Sequence, residues 1–359
     1  MNGPYVVAII PAHNEARNIA KTLKSIKNQV DYVIVACDHC QDNTEQVAYH
    51  NGADKVFETI HNHARKAGAL NQTLENYVNW SLPNLYVMVI DADTQIVSNW
   101  MAKAKTLVRL SGVHQSGYRQ NHHKYDAVGS IFYSNRTRHP TMLELCQHNE
   151  WVRYANKIKR DHRVFVLTGT CSLISARKLL AVHRKYHRFY DENSLTEDFA
   201  MTIDLKEVGA KLISPLSCVC TTKTMRHYSD LVRQRRRWYL GAIKLIMRRK
   251  LDHVTWPYVL QQIMLLISVF AFTTFLLMSA LVYLTGGLHL TLFWSIAFVI
   301  FCTERVLSIW NEPVLDRFFA ASMIPELIYS FVLQWAYLLA ILAYFNHLEI
   351  YWNQNQDGS

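Results

Sequence analysis

The chain has 359 residues, with 38 Lys and Arg against 28 Asp and Glu and a formal net charge of +10. The length suits one large domain with an appendage, and the sequence contains neither internal repeats nor low-complexity stretches. Seven cysteines at scattered spacings favour reduced thiols, and the spacing Cys37-x-x-Cys40 has no second pair to complete a zinc site. These features exclude a repeat array and a small disulfide-stabilised scaffold.

From the N-terminus, apolar β-type runs alternate with stretches of helical spacing. Strands are predicted at residues 5–10, 32–36, 55–57 and 85–90, and helices at residues 14–27, 44–50 and 66–80. Such alternation predicts a doubly wound, Rossmann-like α/β domain with a parallel sheet. Ligands of these sheets bind at the carboxyl ends of the strands. We therefore expect residues 11–15, Asp38 and residues 91–93 to meet at one edge.

The middle of the chain is less regular. The predicted elements are a strand at residues 164–167, a polar turn at 168–170, helices at 176–187 and 199–208, and a short strand at 211–213. Residues 229–250 then predict an amphipathic helix. Its leucines and arginines suit a helix that lies in the plane of lipid headgroups.

Residues 257–348 are dominated by apolar side chains and predict a membrane region. Since roughly 20 residues suffice to cross a bilayer, about three spans are predicted, at residues 258–284, 288–309 and 319–345. Charge is costly inside a membrane, so Glu304, Arg305 and Glu326 are expected to be paired or to face protein. The predicted domains are a soluble domain at 1–225, an interfacial helix region at 226–256, the membrane region at 257–348 and a polar tail at 349–359.

A basic cluster comes just before the membrane region. It comprises Arg226, Arg233, Arg235, Arg236, Arg237, Lys244, Arg248, Arg249 and Lys250. Such a cluster could bind nucleic acid, but beside a membrane segment it more often marks the cytoplasmic side and contacts anionic lipids. No signal peptide is predicted, because the first strand begins within a few residues of Met1. We expect an integral protein of a bacterial-type cell membrane, with the soluble domain in the cytoplasm.

Paired carboxylates follow the apolar run at residues 85–90. Asp91 and Asp93 are spaced i, i+2 at the carboxyl end of this predicted strand. Hard divalent cations prefer carboxylate and phosphate oxygens, so the pair is suited to hold a cation against a diphosphate. Two solvated turn aspartates are the alternative interpretation of this motif taken alone.

Five further motifs accompany Asp91-Ala92-Asp93 in a fixed order. They are Pro11-Ala12-His13-Asn14-Glu15, Asp38-His39-Cys40-Gln41-Asp42-Asn43-Thr44, Arg65-Lys66-Ala67-Gly68-Ala69-Leu70-Asn71, Thr196-Glu197-Asp198 and Gln234-x-x-Arg237-Trp238. Together they resemble membrane-bound members of glycosyltransferase family 2, which includes the cellulose, chitin, hyaluronan and poly-N-acetylglucosamine synthases. The resemblance covers roughly residues 4–240, and Arg65 stands where glycine is usual.

The resemblance implies a GT-A fold and an inverting transfer of one sugar from a UDP-sugar, with Mg²⁺ or Mn²⁺ as cofactor. The implied UDP-binding residues are Pro11, Ala12, Glu15, Asp38, Lys66, Asp91, Ala92 and Asp93. Asp93 is the implied metal ligand, and Asp91 and His227 are further candidates. For Lys66 taken alone, a solvated surface charge is an equal alternative.

Asp198 is the candidate general base. The reaction needs a carboxylate that takes a proton from the acceptor hydroxyl as its oxygen attacks the anomeric carbon. Glu197 is expected to orient Asp198 or a neighbouring amide. The alternative is a helix cap, in which Thr196 or Asp198 satisfies free backbone N–H groups.

Two segments are expected to line the acceptor and the diphosphate. They are the turn Thr168, Gly169 and Thr170, and the motif residues Gln234, Arg237 and Trp238. A guanidinium beside the diphosphate would stabilise the charge that develops there. The alternative is an interfacial helix whose arginines contact lipid phosphates. Both interpretations can hold together, with Arg235 and Arg236 on lipid and Arg237 in the site.

The acceptor is left open between a glycan, a lipid and a protein. Processive synthases of this family usually have spans before the catalytic domain and more spans after it. The chain is therefore expected either to oligomerise or to make a single transfer, for example to a polyprenyl phosphate. A membrane-attached nucleic-acid-binding protein is the alternative from another class, although nucleic acid is not the expected partner.

Histidine pairs at His61 with His63 and at His122 with His123 could form a metal site. Exposed loop histidines are the commoner explanation of such pairs. The sequence therefore leaves Asp93 as the principal candidate for a metal ligand.

Overall fold

The computed structural model describes residues 3–108, 125–135, 137–161, 163–286 and 292–346. The chain forms two compact units, Met1–Pro140 with Glu150–Thr224 and Thr141–Asn149 with Met225–Ser359. His122, His123 and the predicted polar tail at residues 349–359 lie outside the described residues. All seven cysteines lie within them and carry free thiols.

The first unit alternates strands and helices, as the sequence predicts. Its strands are β1 (Tyr5–Ala12), β2 (Tyr32–Cys37), β3 (Lys55–Glu58), β4 (Leu85–Ile90), β5 (Gln95–Ile96), β6 (Ala127–Gly129), β7 (Ile131–Ser134), β8 (Cys171–Ser175), β9 (Leu212–Ile213) and β10 (Val219–Thr222). Its helices are α1 (Ile19–Ile26), α2 (Thr44–His50), α3 (Arg65–Asn76), α4 (Trp100–Leu107), α6 (Ala176–Tyr186) and α7 (Glu197–Glu207). Helix α5 (Met142–Asp161) contributes its first turns to the second unit and the remainder to the first.

The main sheet has seven strands in the order β3-β2-β1-β4-β8-β6-β9. β1 is buried because helices cover both faces of the sheet: Val6 shares a core cluster with Leu23 of α1, and Val7 shares another with Leu70 of α3. A second sheet has three strands in the order β5-β10-β7. Two cores on either side of a central sheet are the layered arrangement that the alternating pattern predicts.

The predicted parallel sheet is confirmed for the first four strands, but the main sheet as a whole is mixed. β3, β2, β1 and β4 are parallel, but β8 runs antiparallel to both β4 and β6. An antiparallel strand begins at the edge where its parallel neighbours end. The register pairs Ile90 with Cys171, so the turn that precedes β8 lies beside the carboxyl end of β4.

The strand predicted at residues 164–167 is absent from the described structure, where these residues form an irregular segment. The side chains of α7 bond its backbone groups: Lys206 Nζ donates to Val164 O at 2.6 Å, and Leu167 N donates to Thr202 Oγ1 at 2.8 Å. These groups are consequently not available in a strand ladder. The strand begins later, at Cys171.

The second unit is helical. Its further helices are α8 (Tyr228–Arg248), α9 (Trp256–Leu284), α10 (Leu292–Leu307), α11 (Val314–Ser322) and α12 (Ile324–Phe345). The apolar face of α8 packs against α12, where the rings of Tyr239 and Tyr337 meet edge to face at 5.2 Å. α8 is therefore amphipathic as predicted, and part of its apolar face is covered by protein.

Within the described residues, α9 and α12 are long and apolar enough to cross a membrane. The second predicted span corresponds to α10, a helix of 16 residues. The third is interrupted at Met323, whose φ of 58° separates α11 from α12. The predicted pairing of charges is confirmed, because Arg305 Nε lies 3.8 Å from both Glu304 Oε2 and Glu326 Oε2.

Candidate active site

The carboxyl ends of the parallel strands bring the first two motifs together, as predicted. Asp38 N donates to Ala12 O at 2.8 Å, directly after β1 and β2 end. The following loops interlock, since Gln41 N donates to Asn14 Oδ1 at 2.7 Å and Glu15 N donates to Thr44 Oγ1 at 2.8 Å. The first two motifs thus lie side by side at one edge of the first unit.

Asp38 is buried at this edge, and three donors converge on its Oδ1 atom. They are Thr59 Oγ1 at 2.7 Å, Asn62 Nδ2 at 2.8 Å and the His39 ring at 3.0 Å. This convergence fixes the orientation of the carboxylate. Asn62 and Thr59 were missed by sequence reasoning, because they lie between recognisable motifs.

Asn62 also determines how α3 begins. Its side chain donates to Arg65 O at 2.7 Å and accepts from Ala64 N at 3.0 Å. A Cβ at Gly68 would lie 2.0 Å from Asn62 Oδ1, which explains the glycine in this motif. Arg65 has a φ of 55°, a left-handed conformation that glycine adopts most easily. Arg65, which stands where the family motif usually has glycine, therefore occupies a backbone conformation that favours glycine.

Lys66 is the centre of a half-buried acidic cluster, in which 25% of its own side chain, 31% of that of Asp91 and 15% of that of Glu197 are exposed. Its ammonium lies 2.6 Å from Asp91 Oδ1 and 3.0 Å from Glu197 Oε1, and it donates to Gly169 O at 3.2 Å. This network joins the start of α3, the end of β4, the start of α7 and the turn before β8. The alternative of a solvated surface charge is therefore wrong for Lys66.

Asp198 lies in the first turn of α7, next to the same turn. Its Oδ2 accepts from Gly169 N at 3.0 Å, and its Oδ1 accepts from Phe199 N at 2.8 Å. A Cβ at Gly169 would lie 3.0 Å from Lys66 Nζ and 3.3 Å from the Asp198 side chain. Glycine thus permits the close approach of these two side chains.

The capping alternative is met in part. Thr196 makes no side-chain cap hydrogen bond to α7, whereas Asp198 does accept from an amide of the first turn. A carboxylate oxygen has more than one acceptor site. The contact to Phe199 therefore leaves Asp198 able to accept a further proton or hydrogen bond.

Burial sets the protonation of this cluster. It raises the pKa of Asp91 to about 6 and, with the negative charge of Glu197, raises the pKa of Asp198 to about 6. Burial alone would lower the pKa of Lys66, but the charges of Asp91 and Glu197 outweigh it and raise that pKa. Lys66 is therefore a permanent cation among carboxylates that titrate near neutrality, as general bases of enzymes do.

We expect kcat/KM for sugar transfer to rise with pH along an acid limb with a midpoint near 6. Asp198 can accept a proton only when ionised, and its pKa is raised to about 6, so activity is lost as pH falls through this value. Initial rates measured from about pH 4.5 to 8.5 at constant ionic strength test this expectation. A flat profile across the range would contradict the role of Asp198.

The surroundings of Asp93 fit a divalent cation. Its Oδ1 lies 3.4 Å from Thr94 Oγ1 and 3.5 Å from Thr222 Oγ1, both at the outer limit of a hydrogen bond. Burial raises the pKa of Asp93, and the negative charge of Glu15 raises it further. A cation at this carboxylate would offset both effects.

Within the residues that the structure describes, no group of three or more His, Cys, Asp or Glu is placed to hold a metal ion. Mg²⁺ is commonly bound through one or two carboxylates together with substrate phosphates. The donor set around Asp93 therefore fits a cation that shares its ligands with a bound diphosphate.

A further cation, missed by sequence reasoning, lies near Asp93. Lys223 directly follows β10, and its charge opposes the burial that raises the pKa of Asp93 and of Glu15. No strand was predicted at residues 219–222, so nothing in the sequence singled out Lys223. It adds to Lys66 a second positive group at the acidic edge.

The motif residues Gln234, Arg237 and Trp238 lie on α8, and His227 is the residue that caps it. Their roles toward the acceptor, the diphosphate and the metal stay predictions. The assignment of Arg235 to lipid is wrong: its side chain is buried, donates to Tyr329 Oη at 3.2 Å and lies 4.5 Å from the centre of the Trp238 ring. Partners on α12 and on α8 itself make burial of this cation possible.

Comparison with known proteins identifies the family to which this candidate site belongs. Residues 4–241 match the family model described as "Glycosyltransferase like family 2". A mannosyltransferase of Pyrobaculum calidifontis, solved with GDP-Man and Mn²⁺, superposes with a TM-score of 0.60 at 16% identity and covers 97% of this chain and 89% of its own. That likeness confirms the GT-A α/β fold.

The chain belongs to glycosyltransferase family 2. It is 23% identical over 254 residues to the poly-beta-1,6-N-acetyl-D-glucosamine synthase of Staphylococcus aureus strain COL. The match covers 68% of this chain and 56% of that relative, so the chain spans little more than half of the relative's length.

Proposed function

We propose that the protein transfers a sugar from a UDP-sugar to an acceptor at a membrane, with inversion at the anomeric carbon and with Mg²⁺ or Mn²⁺ as cofactor. One observation carries the proposal: Lys66 joins Asp91, Glu197 and the turn that contacts Asp198 into one half-buried cluster at the edge of the sheet. Asp198 takes the proton of the acceptor hydroxyl, because it is the carboxylate of this cluster held by backbone amides at the start of a helix.

The remaining residues bind and orient the nucleotide. The buried Asp38 faces the nucleoside with an orientation fixed by its three donors. Asp93 holds the cation, which when bound supplies positive charge to the diphosphate oxygens. Lys66 keeps Asp91 and Glu197 in place and prevents their charges from repelling the donor. Pro11, Ala12, Glu15 and Ala92 complete the nucleotide side, and Gln234, Arg237 and Trp238 are assigned to the acceptor and the leaving diphosphate.

A β-linked polysaccharide is the first candidate product. The relative in Staphylococcus aureus is named as a poly-beta-1,6-N-acetyl-D-glucosamine synthase, which supports repeated transfer. Two candidate spans support the second candidate, a single transfer to a lipid such as a polyprenyl phosphate, or to a protein. Product length from labelled UDP-sugars separates repeated from single transfer.

The apolar helices and the basic α8 support a place in a bacterial-type cell membrane, with the first unit in the cytoplasm. Only 6% of the most apolar window of α9 is buried within the protein, so lipid is the natural solvent for this helix. A homo-oligomer would enlarge the membrane region if the product is a secreted polymer.

A panel of common UDP-sugars, assayed for UDP release by the purified full chain, tests the proposed function. We expect one donor to be turned over with Mg²⁺ or Mn²⁺ and turnover to cease with a chelator, because the diphosphate loses its cation. GDP-mannose serves as a donor control. Turnover unaffected by the chelator would contradict the role of Asp93, and strong salt-sensitive binding of DNA without nucleotide binding would favour the nucleic-acid alternative.

A further inference from the structure

Three polar residues on one face of α1 and just beyond it contact the segment that follows Asp91. Thr22 Oγ1 donates to Ala92 O at 2.7 Å, in a fully buried position. One turn later, Ser25 Oγ accepts from Ile96 N at 3.3 Å. Spacings of three and four residues place side chains on one helix face, so these residues form a polar stripe beside the buried apolar residues of α1.

Gln29 completes the stripe beyond the end of α1. Its Nε2 donates to Val97 O at 3.0 Å, and its Oε1 accepts from Met101 N at 3.0 Å. The stripe thus bonds the backbone of residues 92–101 at four points. None of these bonds involves a side chain that the proposed mechanism uses.

The other side of the same segment is fixed by β10. Ile96 pairs with Cys220, and Val97 N donates to Val219 O at 3.3 Å. Asp91 is fixed separately, by Lys66 and by its own N–H on Thr170 O at 3.0 Å. Ala92 directly precedes Asp93, and its carbonyl accepts the hydrogen bond from Thr22.

We infer that Thr22 is a positioning residue for the metal ligand Asp93, acting through the carbonyl of Ala92. This inference rests on the proposed function. In the part of the chain that the structure describes, the side-chain contacts of Asp93 are two hydroxyls, at 3.4 and 3.5 Å, and its own backbone amide is a further donor, so the direction of its carboxylate depends on the backbone that carries it. Thr22 and the rest of the stripe keep that backbone in one conformation before the nucleotide and the cation arrive.

The test replaces Thr22 with valine, which keeps the shape and removes the donor. The matched control is Thr73→Val, because Thr73 is equally buried on α3 and its hydroxyl donates to Ala69 O at 2.7 Å within the helix. Both changes remove one buried hydroxyl hydrogen bond. Only the change at Thr22 affects the segment after Asp91.

Binding of UDP with Mn²⁺ to the full chain, measured by calorimetry without turnover, is the first readout. We expect Thr22→Val to weaken this binding about tenfold, the effect of one lost buried hydrogen bond. Thr22→Ser keeps the hydroxyl donor and should bind as the wild type does, and Thr73→Val should leave binding unchanged. In the assay, the metal concentration for half-maximal rate should rise with kcat nearly constant. Amide exchange of residues 91–101 is the second readout and should accelerate only in Thr22→Val.

Each outcome decides the matter. Unchanged affinity in Thr22→Val, with or without faster exchange, overturns the inference, and so does equal weakening in Thr73→Val. Wild-type protein that binds no UDP with Mn²⁺ overturns the proposed function itself. That failure is distinct, because it does not depend on any variant.

Discussion

Replacing Asp198 with asparagine is expected to reduce sugar transfer by about 10²- to 10⁴-fold, the usual contribution of a general base. The amide cannot take the proton of the acceptor hydroxyl, so the attacking oxygen must lose it to water. UDP binding should stay close to that of the wild type, because the nucleotide residues at Asp38 and Asp93 are unchanged. Single-turnover rates with a saturating donor, together with UDP affinity, measure the two effects separately.

The variant is expected to stay folded. Burial raises the pKa of Asp198, which means that its ionised form costs folding stability above its unfolded pKa, and the neutral amide removes that cost. The substituted side chain keeps one acceptor oxygen for the two backbone amides that Asp198 now satisfies, which offsets part of the gain. The melting temperature should therefore change little.

Asp31→Asn is the matched control for Asp198→Asn. Asp31 Oδ2 accepts from Val6 N at 2.7 Å near the start of β1, at the opposite edge of the sheet. It is also a carboxylate bonded to a backbone amide, and it has no place in the proposed chemistry. Wild-type turnover by Asp198→Asn, or an equal loss in Asp31→Asn, would remove Asp198 from the role of base.

The central strands and the order of the motifs could be predicted because each depends on local sequence. β4 is an unbroken apolar run that is buried at every residue, and its end places Asp91 at the edge whatever lies elsewhere. The direction of β8 has no such signal, because a strand that is covered on both faces, as β8 is at every residue, has the same buried pattern whichever way it runs.

The segment at residues 164–167 and the side chain of Arg235 show why other predictions failed. Val164 begins an apolar run that is typical of a strand, but its carbonyl accepts a hydrogen bond from Lys206 of α7. Arg235 is charged, which is typical of a surface residue, but it is buried and donates to Tyr329. This partner is 94 positions away in sequence, so the local sequence does not reveal it. In both cases a distant side chain satisfied a group whose local sequence indicated another environment.

The candidate site was predicted as a set of residues and not as a set of contacts. Motif spacing identified Lys66 and Glu197 separately, yet their contact at 3.0 Å joins two helices from distant parts of the chain. Asn62 belongs to no motif and still holds both Asp38 and the start of α3. Such residues are found only when the fold brings their partners to them.

Replacing Lys66 with methionine is expected to lower the free energy of unfolding by about 1–3 kcal/mol near neutral pH, the cost of leaving half-buried charges without their partner. The ammonium is the cation that lies 2.6 Å from Asp91 and 3.0 Å from Glu197. Its charge also lowers the pKa of Asp198 against the effect of burial. Without it the carboxylates repel one another, and the pKa values of Asp91 and Asp198 rise further.

The deficit of Lys66→Met should depend on pH in a definite direction. Carboxylates whose folded pKa is raised cost stability above their unfolded pKa and cease to do so when they are protonated. The melting temperature of the variant should therefore approach that of the wild type as pH falls towards about 6, the pKa of Asp91 with Lys66 in place, because below it the carboxylates are protonated in both proteins. Lys178→Met is the control, since Lys178 Nζ donates to the carbonyls of Val208 at 2.7 Å and Gly209 at 2.9 Å. Carbonyls do not titrate, so the stability deficit of Lys178→Met should be the same at about pH 5 and at about pH 7.5. A deficit of Lys66→Met that is equal at these two pH values, or absent at both, would contradict a cluster whose charge balance depends on Lys66.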